Sequence, residues 1–132
     1  MPNKVLDSSA VLALFFEETS ADIVEEIFIK AAEADRLVLI SAVNWAEVLY
    51  RVSQMQGMAG VQEAKRFEQT MPLDVVPMDR DLAELAAELK ARHKLPLADA
   101  FAAALAQQKK AMLITGDHDF KQVEGKIKIG WL

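Results

Sequence analysis

Short apolar runs alternate along the chain with longer segments whose apolar residues recur at helical spacing. The apolar runs cover residues 5–6, 36–40, 73–76, 112–115 and 127–132. Strands that alternate with helices pair in parallel, and a parallel sheet needs helices on both of its faces. The sequence therefore predicts a three-layer α/β/α sandwich around a central, mainly parallel sheet of about five strands.

The length and composition of the chain favour one globular domain over residues 1–132. The chain is 52% hydrophobic and contains no cysteine. Disulfides, thiol chemistry and cysteine zinc sites are therefore excluded, and a reducing compartment is expected. No apolar run approaches the length of a membrane span, and the N-terminal residues lack the apolar segment of a signal peptide. We predict a cytoplasmic protein that has no membrane partner.

The charge balance limits how the chain can bind nucleic acid. There are 20 acidic and 15 basic residues, which gives a net charge of −5. An acidic protein does not attract phosphate backbones through its overall electrostatic field. If this chain acts on nucleic acid, bound cations or a local basic patch must supply the attraction.

Four acidic residues stand near the ends of predicted strands or in the first turns of predicted helices: Asp7, Glu47, Asp99 and Asp117. In an open α/β sheet, ligands bind at the carboxyl ends of the strands. Three of these acids have ordinary alternatives. Asp7 can cap the helix that follows it, Asp117 can belong to a turn, and Glu47 can be a partly solvated helix residue.

Asp99 is the most informative of the four acids. It is the only charged residue between positions 95 and 106. The helix dipole favours an acid in the first turn by about 0.3–1 kcal/mol, but this effect does not explain the apolar neighbours. An ionised carboxylate in a buried setting needs a partner, because desolvation otherwise raises its pKa until it is neutral.

If the four acids meet at one edge of the sheet, they cannot all stay ionised unless cations bind them. The chain has only two histidines, so the ligands are oxygen atoms, which favour Mg²⁺ or Mn²⁺. Such a site can hold a phosphodiester, lower the pKa of a bound water and stabilise an in-line displacement. Ser8, Thr115 and Asp119 are candidate supporting residues that can orient the acids or a water, although each can equally be a cap or turn residue.

Four motifs follow one another in the order and spacing of a known family. They are Leu6-Asp7-Ser8-Ser9, Asn44-Trp45-Ala46-Glu47-Val48, Leu95-Pro96-Leu97-Ala98-Asp99-Ala100, and Thr115-Gly116-Asp117-His118-Asp119-Phe120. Across essentially its whole length, the chain resembles a PIN domain and, by its size, a VapC-type ribonuclease toxin of bacterial and archaeal toxin–antitoxin modules. The resemblance implies a catalytic, metal-binding quartet of Asp7, Glu47, Asp99 and Asp117, supported by Ser8, Thr115 and Asp119.

The resemblance also implies an activity and its partners. The expected activity is a Mg²⁺- or Mn²⁺-dependent endoribonuclease that cuts RNA to leave a 5′-phosphate and a 3′-hydroxyl. The expected partners are a second copy of the chain, in a homodimer, and a cognate antitoxin bound over apolar surface near the site. The apolar residues Phe15-Phe16 and Ile27-Phe28 are where we expect this antitoxin to bind.

Three other interpretations remain open. A phosphotransfer domain also places an acid at a strand end, but here Asp7 is followed by Ser8-Ser9 where a phosphatase of that kind needs a second acid, and Asp117 stands where a receiver needs a lysine. A non-catalytic module can use the same fold to bind RNA or protein, although the complete quartet argues against it. An RNA-processing nuclease that is not a toxin shares the predicted site, and the short chain favours the toxin.

Overall fold

The computed structural model describes residues 3–132, and these residues form a five-stranded sheet. Its strands are β1 (Lys4–Leu6), β2 (Val38–Ser41), β3 (Leu73–Val76), β4 (Met112–Thr115) and β5 (Ile129–Trp131). The strand order is β3-β2-β1-β4-β5, and every neighbouring pair is parallel. The predicted mainly parallel sheet of about five strands is confirmed. The first two residues of the predicted domain lie outside the described residues.

Helices connect the strands and flank the sheet. They are α1 (Ser8–Phe15), α2 (Ala21–Glu33), α3 (Ala42–Thr70), α4 (Arg80–Arg92) and α5 (Leu97–Lys109), and a 3-10 helix (His118–Val123) precedes β5. In the part of the chain that the structure describes, no helix is both long enough and apolar enough to cross a membrane.

The alternation of side chains along the strands produces two cores. Val5 lies in register with Leu39 and Leu113, and these three residues pack into one core together with residues of α4 and α5. The residue that follows each of these three along its strand packs into the other core, together with residues of α1, α2 and α3. Because successive strand residues point to opposite faces of a sheet, helices cover both faces, and the predicted three-layer sandwich is confirmed.

Gly57 interrupts α3. Its φ of +67° lies in the left-handed region, and its ψ is −162°, so the helix bends there. Glycine tolerates this conformation because it has no Cβ. The sequence predicts that one helix ends at Gly57 and that another begins near Ala59, and the backbone breaks at this position, although no loop separates the two segments.

Phe28 is a core residue, and the prediction that it contributes to a partner-binding surface is wrong. Its side chain is 1% exposed. Its ring makes an edge-on contact with Phe67 of α3, with the ring centroids 5.2 Å apart, and Phe67 makes a similar contact with Phe15 at 5.1 Å. The exposed apolar residues of α2 are instead Ile23 and Ile29.

The direction in which strands are added to the sheet reverses between β1 and β4. The strands β2 and β3 extend the sheet to one side of β1, whereas β4 and β5 extend it to the other side. Ligand sites of open α/β sheets form at the carboxyl ends of the strands at such a reversal. Asp7 directly follows β1 and Thr115 ends β4, so both residues stand at this position.

Candidate functional site

The Asp7 carboxylate is held in place by three hydrogen-bonding groups. Its carboxylate is 2% exposed. Oδ1 accepts hydrogen bonds from the Ala10 amide at 3.0 Å and from the Ser9 hydroxyl at 2.7 Å, and Oδ2 accepts one from the Thr115 hydroxyl. Burial raises the pKa of Asp7, and these hydrogen bonds partly offset that rise. Asp7 therefore caps α1, as its ordinary alternative predicted, and is also bound to the end of β4.

Asp99 is buried in the first turn of α5, and one of its oxygens has no protein partner. The residue is 8% exposed. Its Oδ2 is buried and makes no hydrogen bond. Burial raises the pKa of Asp99 to about 8, and the neighbouring acids add to this effect, with Asp117 first among them. A buried carboxylate oxygen without a donor is costly, so this atom is a candidate ligand for a cation.

Three carboxylates converge at this point. Asp99, Asp117 and Asp119 each offer one oxygen, and these oxygens lie within 4.8 Å of one another. Asp117 is fixed by its own turn, since its Oδ1 accepts a hydrogen bond from the Asp119 amide at 2.9 Å and its amide donates to the Thr115 hydroxyl at 2.9 Å. Exposure increases from Asp99 through Asp117 to Asp119. The cluster is therefore open to solvent on the side of the 3-10 helix.

Glu47 is joined to the site through Ser8. It lies in the second turn of α3, is partly buried, and accepts a hydrogen bond from the Ser8 hydroxyl. Ser8 is the residue after Asp7, so this contact places Glu47 beside the segment that carries Asp7. Among the described residues, the cluster of three converging carboxylates does not include Glu47 or Asp7. The charge of Asp7 nevertheless contributes to the raised pKa of Asp99.

Asn44 is a site residue that the sequence analysis did not assign a role. It is fully buried. Its Nδ2 donates to the Ala98 carbonyl at 3.2 Å. Its backbone amide donates to the Ser41 hydroxyl, and that hydroxyl donates to its Oδ1. The first turn of α3, which leads to Glu47, is thereby attached to the first turn of α5, which carries Asp99. The sequence signal that could have identified Asn44 is a polar side chain among apolar neighbours, three residues after a serine that can cap a helix.

Ser9 is a second residue that the sequence analysis left without a role. Besides its bond to Asp7, its hydroxyl accepts a hydrogen bond from the Gly116 amide at 3.3 Å. The Ser9 side chain therefore links the start of α1 to the turn after β4, which carries Asp117.

We expect replacement of Asn44 by alanine to lower the free energy of unfolding by about 1–3 kcal/mol. The partly buried Ala98 carbonyl loses its side-chain donor, and the buried Ser41 hydroxyl loses its acceptor. Urea denaturation measures this change. Gln54→Ala is the control, since the exposed Gln54 side chain donates to the exposed Tyr50 hydroxyl on the same helix. This substitution is expected to change the free energy of unfolding by less than about 0.5 kcal/mol. Equal effects of the two changes would contradict the structural role of Asn44.

An open groove adjoins the acidic cluster. Its volume is about 610 Å³, and residues 90–96 and Asp119 line it. Gln122 connects its two walls, since its side chain accepts from the Lys94 amide at 2.8 Å and donates to the Asp119 carbonyl at 3.1 Å. Arg92 and Lys94 lie along the groove. The structure thus contains a local basic surface next to the acids, of the kind that an acidic protein needs to bind phosphate.

The donor set of the cluster fits a small divalent cation. It consists of carboxylate oxygens, one of which is buried and has no protein partner. Mg²⁺ and Mn²⁺ prefer such ligands. The described residues of the cluster contain no histidine, which disfavours the metals that select imidazole.

Comparisons with known proteins agree with this geometry. A family model described as the PIN domain matches residues 4–126. No curated protein matches the sequence.

Several solved structures share the fold. DNA-bound VapBC from Salmonella typhimurium superposes with a TM-score of 0.80, at 16% identity and with 98% of each chain covered. VapBC2 from Rickettsia felis, bound to a promoter DNA fragment, gives a TM-score of 0.78 at 17% identity, with 96% of each chain covered. Mycobacterium tuberculosis VapC20, a sarcin–ricin loop cleaving toxin, gives 0.72 at 20% identity, with 92% of this chain and 95% of that chain covered.

Proposed function

Because the chain belongs to the PIN domain family, we propose that it is a metal-dependent endoribonuclease, the toxin of a toxin–antitoxin pair, acting as one domain over residues 1–132. The observation that carries this proposal is the Asp99 carboxylate, which is buried with an unpartnered oxygen beside two further carboxylates within 4.8 Å. Strongly perturbed acids in an open site are typical of catalytic centres. The similar fold of VapC20, a sarcin–ricin loop cleaving toxin, supports a cleaving activity of this kind.

We assign the catalytic and metal-binding roles to Asp7, Glu47, Asp99 and Asp117. Mg²⁺ or Mn²⁺ supplies neutralisation of these acids, stabilisation of charge on a phosphodiester and a lowered pKa for the attacking water. The chain itself keeps the acids in position. Thr115 and Ser9 orient the Asp7 carboxylate, and Ser8 orients Glu47. Asp119, assigned a supporting role, extends the cluster toward solvent, where RNA enters.

The contacts of Asp7 argue against the phosphotransfer alternative. A phosphorylated aspartate must present one carboxylate oxygen to the incoming phosphorus atom. Here Oδ1 accepts two hydrogen bonds and Oδ2 accepts one, and the residue is almost completely buried. Asp7 is therefore suited to a fixed position in a charged site and is poorly suited to act as a nucleophile.

The buried acid argues against the alternative of a non-catalytic binding module. A surface that only binds RNA or protein gains nothing from a carboxylate whose pKa is raised to about 8. Such a group lowers the stability of the protein at neutral and alkaline pH. Sites that retain costly groups of this kind usually need them for chemistry.

We further propose that the protein forms a homodimer and is neutralised by a cognate antitoxin. The similar structures from Salmonella typhimurium and Rickettsia felis are VapBC assemblies, which supports a partner of this kind. A groove of about 320 Å³ between α1 and α3 offers apolar surface for it, including the half-buried rings of Phe15 and Phe67. This groove replaces the surface around Phe28 as the expected antitoxin contact.

Incubation of the purified protein with total RNA and Mg²⁺ or Mn²⁺ tests the proposed activity. We expect discrete cuts with 5′-phosphate ends that are lost when EDTA is added and are restored when Mg²⁺ is returned in excess. Cleavage that persists in EDTA would contradict metal dependence. Growth arrest on induction of the wild-type chain in bacteria separates a toxin from a processing nuclease.

Metal affinity is expected to increase with pH. Because the pKa of Asp99 is raised to about 8, the carboxyl group holds a proton below that pH, and a cation must displace it. The affinity therefore falls by up to about tenfold per pH unit below pH 8. Calorimetric titration with Mn²⁺, in buffers of different ionisation enthalpy, measures the protons released.

At pH 6.5 we expect release of about one proton per bound ion, and at pH 9 almost none. Asp99→Asn is the control, since the asparagine side chain has no proton that titrates in this pH range. Equal proton release at the two pH values in the wild-type protein would contradict the raised pKa of Asp99.

A further inference from the structure

Trp131 and His118 form an aromatic pair beside the acidic cluster. Their ring centroids are 6.0 Å apart, and the ring planes are inclined by 32°. His118 is exposed and stands in the sequence between Asp117 and Asp119. Trp131 lies on the edge strand β5 and is 36% exposed. Two aromatic side chains therefore face solvent next to two of the three converging carboxylates.

The backbone places Trp131 close to the site. Trp131 is in parallel register with Thr115, whose hydroxyl donates to Asp7. Neighbouring strands lie about 4.8 Å apart, so only one strand spacing separates the two backbones. The indole Nε1 donates to Glu124 Oε2 at 3.0 Å. This bond fixes the orientation of the ring without covering it.

Packing does not account for the position of Trp131. The core beneath the 3-10 helix is filled by Phe120 and Val123, which are both fully buried. Among the described residues, neither of the two cores includes Trp131. A tryptophan that is held by a hydrogen bond, but left outside both cores, is available to a ligand.

The surrounding charges indicate what kind of ligand fits. Asp119 and Glu124 lie next to the ring pair, so the side chains of this surface do not themselves attract phosphate groups. An aromatic ring stacks on a nucleobase whatever the charge nearby, and unpaired bases stack on tryptophan and histidine in many RNA complexes. Bases inside a duplex are already stacked and do not offer a free face.

We propose that Trp131, together with His118, is a stacking platform for an unpaired nucleobase of the RNA substrate. The proposal rests on the proposed nuclease function. In this arrangement a base is held against β5 while a nearby phosphodiester lies at the acids. Trp131 binds substrate in this arrangement and takes no part in the transfer of protons.

The fluorescence of Trp131 tests this arrangement directly. The chain has two tryptophans, so Trp45→Phe leaves Trp131 as the sole source of tryptophan fluorescence. Asp99→Asn prevents cleavage during the titration. We expect a single-stranded RNA oligonucleotide, added with Mg²⁺, to quench Trp131 emission, and a fully paired duplex of the same sequence to leave it unchanged. Anisotropy of labelled RNA measures binding independently.

Substitutions extend the test to affinity. Trp131→Ala is expected to weaken RNA binding by about tenfold and Trp131→Phe by less than about threefold, because the phenyl ring retains a stacking face. Tyr50→Ala removes another exposed aromatic residue, on α3, and is expected to leave affinity unchanged. Thermal melting checks that each variant is folded, and the fluorescence experiment does not depend on removing the ring.

The outcomes separate the two proposals. RNA that binds, as measured by anisotropy, without quenching Trp131 would overturn the stacking platform and leave the nuclease proposal standing. Equal quenching by duplex and single-stranded RNA would also overturn the stacking platform, because a paired base has no free face to stack on Trp131. If the wild-type chain neither binds nor cuts RNA, both proposals fail.

Discussion

Asp99→Asn is expected to reduce RNA cleavage by about three orders of magnitude, a loss typical of removing one group that stabilises a transition state, while stabilising the metal-free protein at pH 8. The amide is nearly isosteric with the carboxyl group but carries no negative charge for a cation. Most single substitutions lower the stability of a protein. A gain in stability is therefore a specific consequence of this buried acid.

The sign of the stability change follows from the pKa of Asp99, which is raised from 3.8 to about 8 in the folded protein. Between these two pH values the folded chain holds a proton that the unfolded chain has released, so stability falls as pH rises through this range. At pH 5 the folded carboxyl group is neutral. At pH 8 and above it is increasingly ionised in a buried setting.

The Asp99→Asn variant should therefore unfold at a higher temperature than the wild type at pH 8, by several degrees for a change of about 1–2 kcal/mol, and at nearly the same temperature at pH 5. Thermal unfolding followed by circular dichroism measures the difference. Added Mg²⁺ should stabilise the wild type and not the variant. Asp74→Asn, at an exposed acid of β3, is the control. A lower unfolding temperature for Asp99→Asn at pH 8 would contradict this account.

Phe28→Ala should destabilise the protein by about 3–5 kcal/mol, the usual cost of removing a buried phenyl ring. The ring is 1% exposed and makes an edge-on contact with Phe67, so its removal opens a cavity between α2 and α3. Ile29→Ala is a matched control at the next position, where the side chain is 41% exposed, and it should cost less than about 1 kcal/mol.

Urea denaturation of the two variants measures this contrast. A cost for Phe28→Ala as small as that for Ile29→Ala would contradict the burial of the ring.

The features that sequence patterns predicted well are local. An aspartate or serine directly before a helical pattern predicts an N-cap. Asp7, Ser41 and Asp79 each cap the helix that follows and accept a hydrogen bond from the backbone amide three residues later. Such bonds depend only on residue type and on the start of a helix. Ser20 occupies a cap position as well, but its side chain makes no capping bond.

The features that the sequence did not reveal join distant parts of the chain. The Ser8–Glu47 bond spans 39 positions, and the bond from Asn44 to Ala98 spans 54. No local pattern specifies which hydroxyl meets which carboxylate. Phe28 was misplaced for a related reason. Its neighbours Ile27 and Ile29 are also apolar, so the pattern does not show which side of α2 faces the core.

The strand order also sets when the site can form during synthesis of the chain. The strand β1 pairs on one side with β4, and the hydroxyl that holds Asp7 lies 108 positions later, at Thr115. A growing chain therefore carries Asp7 and Glu47 well before Asp117 has been joined to it. Until β4 is made and inserted beside β1, the acids have no common edge on which to meet. The complete set of carboxylates thus comes together only after synthesis has passed residue 117.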